Sequence, residues 1–185
     1  MIQIEINYKY EILILILKKK ESYGRELAKE LKTSLTRVQS ILDELRNASV
    51  IDYKVVGKNH IYFLKKNLIA RSFIINAENY KFVRTIQKYH ILGPIFEDII
   101  KKSKSNLIIL FGSYAKGLAR DDSDIDIYID TRDIKEKEVV ESIYSEINVK
   151  IRLFDAKDLL ISEIIKNHVI IKGVEKYYDK YNIFK

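Results

Sequence analysis

Two aspartates two residues apart, Asp124 and Asp126, alternate with Ile125, Ile127 and Ile129, downstream of a Gly112-Ser113 pair that ends an apolar run over 107–111. In a strand, residues i and i+2 leave the same face about 6.5 Å apart, so both carboxylates can share one cation. Mg²⁺ takes hard oxygen ligands, commonly one or two carboxylates with waters and substrate phosphates completing the shell. The apolar run reads as a buried strand, and a glycine at its end feeds a helix start, where free N–H groups attract phosphate. Ser113 adds a hydroxyl donor there, and Lys116 and Arg120 can neutralise phosphate charge. These types in this order spell strand, turn, short helix, loop and strand around a metal-dependent nucleotide site.

Ten residues, 114–123, separate Ser113 from Asp124. An apolar strand, Gly-Ser, about ten residues and Asp-x-Asp between apolar residues resemble the signature of the nucleotidyltransferase superfamily that includes DNA polymerase β. The short form Gly112-Ser113-Tyr114-Ala115-Lys116-Gly117 is most similar to the minimal nucleotidyltransferases, small domains often found in prokaryotic toxin–antitoxin pairs. The resemblance covers roughly residues 90–175. It implies a mixed sheet with flanking helices, Mg²⁺ held by catalytic Asp124 and Asp126, and an NTP, ATP by expectation, at Gly112, Ser113, Lys116 and Arg120. The activity implied is transfer of AMP to a partner protein in an antitoxin-like role, with a small helical toxin as that partner.

Active relatives bring a third carboxylate from a neighbouring strand. The matching strand is 148–154, and the matching position is Arg152, whose guanidinium would repel a second Mg²⁺. Asp130 and Asp155 are the alternative sources. Asp130 lies farther along the face of the first pair, while Asp155 is an odd number of residues from Arg152 and should face away unless a bulge intervenes. Two function classes stay open: a nucleotidyltransferase, and a DNA-binding regulator whose degenerate nucleotidyltransferase domain only binds nucleotide or a partner.

The expected architecture is α+β in two domains: a winged helix-turn-helix over 1–66, a helical connector over 67–89 and the nucleotidyltransferase-like domain over 90–185. Residues 6–19 carry a broad apolar face ending in lysines, which suit a helix C-terminus. Ser22 is expected to cap a helix from Tyr23 to Leu31. A third helix, Leu35 to about Ala48, puts Leu35, Val38, Ile41, Leu42 and Leu45 on one stripe and leaves Thr36, Arg37, Gln39 and Ser40 outside it. Two strand-like runs, 51–56 and 61–64, follow, joined through Gly57. Helix, helix, helix, hairpin resembles a winged helix-turn-helix DNA-binding domain. That resemblance implies double-stranded DNA contacts from Thr36, Arg37 and Ser40 in the major groove and from Lys54, Lys58 and His60 at the hairpin, and a homodimer reading two half-sites. Use of the same fold for dimerisation or protein contact is the competing reading. Helical spacing continues over 77–89 and 92–102, with Pro94 suited to a first turn.

The charge distribution agrees with this division. The net charge is +7, and residues 1–66 carry 13 Lys and Arg against 8 Asp and Glu, whereas residues 107–185 carry 13 against 15. A basic first half is the footprint of a nucleic-acid-binding module. There is no cysteine, which excludes disulfides and cysteine-ligated zinc. The six apolar residues 12–17 fall far short of the roughly 20 that cross a bilayer, and residues 1–5 lack a leader's basic segment, so a cytoplasmic protein without membrane contact is expected. His60, His90 and His168 have no partner at metal-ligand spacing.

Overall fold

The computed structural model describes residues 6–184; residues 1–5, on which the expectation about a leader falls, and Lys185 lie outside the described residues. Backbone contacts divide the chain into two units, residues 1–80 with 183–185 and residues 81–182. The expected α+β mixture is present, with two separate sheets.

In the first unit, α1 (Tyr8–Lys19) is capped by Asn7, whose side chain accepts from the Tyr10 N–H. A short strand β1 (Glu21–Tyr23) follows, and then α2 (Gly24–Glu30) and α3 (Leu35–Asn47). Ser22 therefore sits in a strand and does not cap α2. Its buried hydroxyl donates to Glu26 Oε2 at 2.6 Å, and Ser22 pairs with Tyr62 across the sheet, which holds the segment extended. Ser34 caps α3 by accepting the Arg37 N–H at 3.2 Å. Strands β2 (Ile51–Val56) and β3 (Asn59–Leu64) form the expected hairpin, and β1 joins β3 to give an antiparallel sheet in the order β1-β3-β2. The core gathers Ile12, Leu13, Ile16, Leu27, Val38, Leu42, Leu45 and Ile51, all essentially inaccessible to solvent. Each such side chain contributes about 1.5–3 kcal/mol by leaving water. Leu35, expected on the same stripe, is 38% exposed because it opens the helix, before the stripe meets the core.

Helix α4 (Leu68–Lys88) occupies the expected connector span 67–89 and begins ahead of the 77–89 stretch whose spacing reads as helical. Asn67 explains the earlier start: its Oδ1 accepts the Ala70 N–H at 2.8 Å, and neither glycine nor proline interrupts the helix.

The second unit continues through α5 (Leu92–Lys102), β4 (Ile108–Leu110), α6 (Gly112–Lys116), β5 (Ile125–Asp130), α7 (Ile134–Glu141), β6 (Ile147–Arg152), α8 (Leu159–Lys166), β7 (Val169–Lys172) and α9 (Val174–Tyr181). The sheet order is β6-β5-β4-β7, with β5 and β6 parallel and the other pairs antiparallel. Ile125, Ile127, Ile129, Ile147 and Val149 turn to one face and pack with Leu92, Ile95, Phe96 and Ile99 of α5 and Val140 of α7. Burial of Ile109, Tyr128 and Ile170, which alternate with that set, covers the second face as well. Among the described residues, no helix is long and apolar enough to cross a membrane.

Candidate active site

Phe111, just past β4, donates its N–H to the Asp126 carbonyl oxygen at 2.9 Å, which fastens the turn into α6 to β5 at the level of the second aspartate. Gly112 then takes φ +70°, and a Cβ there would stand 2.1 Å from Asp126 Oδ2. The carboxylate thus lies directly against the Gly112 backbone, and Ser113 is the next residue. Helix α6 has five residues, so it offers the free N–H groups of a first turn and little of a long helix's dipole. Gly117, at φ +74°, closes it, with the Gly117 N–H on Tyr114 O and the Leu118 N–H on Ser113 O, both at 3.0 Å.

Asp124 is exposed and immediately precedes β5, whereas Asp126 is half-buried within it. Burial first, and then the charge of Asp124, hold the Asp126 carboxyl above its ordinary value; an Asn148 hydrogen bond, Lys150 and Lys116 pull the other way. Two carboxylates close enough to repel are what a divalent cation relieves. Among the described residues no three His, Cys, Asp or Glu side chains gather to hold a metal. The pair is therefore a half-site, of the kind Mg²⁺ completes with waters and phosphate oxygens. The donor set fits that ion.

The neighbouring strand requires a correction. Arg152, expected to face the aspartate pair, lies level with Asp130 and forms an ion pair with Asp158. Strands β5 and β6 run parallel with Ile125 opposite Ile147, which places Asn148 level with Asp126, and Asn148 Nδ2 donates to Asp126 Oδ1 at 3.2 Å. Lys150 is the next side chain along that face. Ile147, Val149 and Ile151 turn to the core, which leaves Asn148, Lys150 and Arg152 on the other face of β6. Register was the missing quantity, and nothing local to either strand states it.

Asp130 and Asp155 are both committed elsewhere. Asp130, its side chain 6% exposed, accepts the Phe154 N–H at 2.8 Å and pairs with Lys180 Nζ at 2.9 Å. Asp155 is exposed and accepts the Lys157 N–H at 2.9 Å within its own turn. Lys116, the last residue of α6, is exposed and near enough to pull the Asp126 carboxyl down. Arg120 is exposed in a turn closed by its N–H on Ser123 Oγ at 2.8 Å.

In the first unit, Thr36, Arg37 and Ser40 are exposed on α3, and the Arg37 guanidinium lies 5.0 Å from the Tyr8 ring centroid. Lys54 pairs with Glu21 at 2.6 Å. Lys58 lines a cavity of about 530 Å³ with Arg25, Gln39, Asn59, His60 and Tyr62. Arg25, whose place is set by the unforeseen strand β1, and Asn59 were not singled out in the sequence; nor were Asn148 and Lys150 as neighbours of the aspartates.

Residues 95–177 match the family model described as Polymerase beta, Nucleotidyltransferase. A protein of Methanocaldococcus jannaschii, provisionally named a protein adenylyltransferase, is 38% identical over 85 residues, which cover 42% of this chain and 80% of that protein. No solved structure gives a significant match. With the Gly112 turn seated on Asp126 and the sequence match running through that same region, the chain belongs to the polymerase β-type nucleotidyltransferase family.

Proposed function

We propose that the second unit binds an NTP with Mg²⁺ and transfers a nucleotide, AMP in the first instance, to a hydroxyl of a partner protein, releasing pyrophosphate. The observation that carries this reading is the seat of Asp126 against the Gly112 backbone, beside Asp124 and next to Ser113. Asp124 and Asp126 would hold the cation, which supplies positive charge against the phosphates. The first-turn N–H groups of α6 and the Ser113 hydroxyl orient the phosphates, and Lys116 offsets part of their charge. The adenylyltransferase name of the related protein supports AMP as the group moved. A small helical toxin is the acceptor that the resemblance to antitoxin-like domains suggests. The test is incubation of the full chain with labelled ATP, GTP, CTP or UTP, Mg²⁺ and such a partner: label on the partner from ATP, lost in Asp124→Asn with Asp126→Asn, is expected. Equal labelling by that double variant would overturn the reading.

A second reading rests on its own observations. Strand β6 brings an amide and an ammonium to the aspartates and no carboxylate, and the first unit runs helix, strand, helix, helix and hairpin, an order compatible with a winged helix, with a polar cleft at Lys58, Arg25 and Gln39. On this reading the chain is a DNA-binding regulator whose second unit binds nucleotide without turnover. Nucleotide-dependent DNA binding with no label transferred to any acceptor would favour it.

A further inference from the structure

Asp126 is flanked from β6 by Asn148, in direct hydrogen bond at 3.2 Å, and by Lys150, one side chain farther along the same face. Lys150 is exposed, so its ammonium is not consumed by the core. Two-cation phosphoryl and nucleotidyl sites hold their ions about 3.5–4 Å apart, and a protein carboxylate on each flank of the shared ligand helps anchor the ion there. Here one flank has Asp124. The other offers a neutral amide and a side chain with three donors and no acceptor. A cation entering that flank would meet no carboxylate besides Asp126 and would face the Lys150 charge.

We propose that this site takes a single divalent cation with the nucleoside triphosphate, and that Lys150 supplies, from β6, the positive charge that a second cation would bring. The inference rests on the Mg²⁺–NTP reading above and deepens it. A fixed ammonium on that side contacts phosphate oxygens as a point charge, so part of the nucleotide affinity is independent of the cation concentration. Asn148 fixes the orientation of Asp126 by donating to Oδ1, leaving Oδ2 on the Gly112 side.

The test is electron paramagnetic resonance titration of the full chain with Mn²⁺, in the presence of an ATP analogue carrying a methylene between the α and β phosphorus atoms. One Mn²⁺ per chain is expected for the wild type. Lys150→Asp should raise this to two, because a carboxylate replaces the ammonium beside Asp126. Lys150→Met should leave one Mn²⁺ and weaken analogue binding on the order of tenfold, the loss expected for one partly exposed charge-assisted contact. Two Mn²⁺ in the wild type, or analogue affinity unchanged in Lys150→Met, would overturn the inference while leaving the Mg²⁺–NTP reading standing. Absence of any Mn²⁺ or analogue binding by the wild type would overturn both.

Discussion

Replacing Gly112 by alanine separates the cost of the fold from the cost to the site. The new Cβ would stand 2.1 Å from Asp126 Oδ2, 2.9 Å from its Cγ and 3.2 Å from its Cβ. Ordinary contact begins near 3.4 Å, so the carboxylate must retreat by about 1 Å or rotate away. A side-chain end can do this cheaply, and the larger cost to folding comes from placing a Cβ at φ +70°, about 1–2 kcal/mol. For a unit of this size that lowers Tm by roughly 5–15 °C. The site loses more. A Mg²⁺ ligand must lie within about 2.1 Å of the ion, and a 1 Å displacement of a positioned group can cost about 100-fold. Calorimetric titration of Gly112→Ala with Mg²⁺–ATP, alongside thermal unfolding, is therefore expected to show a modest loss of stability and a near-complete loss of metal-dependent affinity. Adding Asp126→Ala to Gly112→Ala should recover part of the stability, since the clash is relieved, and a double-mutant cycle measures that coupling. Wild-type affinity for Mg²⁺–ATP in a folded Gly112→Ala protein would refute the placement of Asp126 in the cation site.

Asp126→Asn should stabilise the ligand-free protein at pH 7, because it removes a carboxylate whose charged form burial and Asp124 disfavour, while abolishing metal-dependent nucleotide binding; thermal melts with and without Mg²⁺–ATP check both. The pH dependence follows from the raised carboxyl. Its charge penalty is absent below the unfolded value near 3.8 and fully present above the raised folded value, so the stability gain of Asp126→Asn should vanish at pH 3. Mg²⁺ binding should correspondingly begin to fail, as pH is lowered, earlier than for an ordinary aspartate, which a titration series at fixed ionic strength reads directly. Arg152→Ala should leave Mg²⁺–ATP affinity unchanged and cost less than about 1 kcal/mol, since it breaks a half-exposed pair with Asp158; a nucleotide-binding defect would restore Arg152 to the site. Arg37→Ala and Lys58→Ala should each weaken binding of the full chain to duplex DNA and reduce its salt dependence, and filter binding across a salt series that finds neither change would remove DNA from the second reading.

Local chemistry was legible where one segment contains the whole device. Gly112, Ser113, Asp124 and Asp126 lie on one strand–turn–helix–strand stretch, and spacing alone puts them together. Capping was less legible: Ser22, the expected cap of α2, lies in β1, while Ser34, expected only in a turn, caps α3. What spacing could not provide was register between strands distant in sequence. A pattern of alternating apolar residues fits β6 equally well at several offsets, and sliding it by four residues exchanges Asn148 for Arg152 beside Asp126. Strand β1 was missed because its three residues bury only Ser22 and carry no period of their own; pairing with Tyr62 makes them a strand.

The two ends of the candidate site should differ in how fast their amides exchange with solvent. Strand β5 is hydrogen-bonded along both edges, and Ile125, Ile127, Tyr128 and Ile129 are almost wholly shielded, so its protons exchange only when the unit opens globally. The loop over 117–124, which carries Arg120 and Asp124, is held chiefly by the local Arg120–Ser123 turn and leaves Leu118 73% exposed. Its protons exchange through small local openings. On the proposed Mg²⁺–NTP reading, an arriving nucleotide would meet one aspartate already in place on a strand expected to exchange slowly and another on a loop expected to exchange fast. Hydrogen-exchange labelling with Mg²⁺–ATP should then show slowed exchange of the loop, against a strand whose rate already marks the limit.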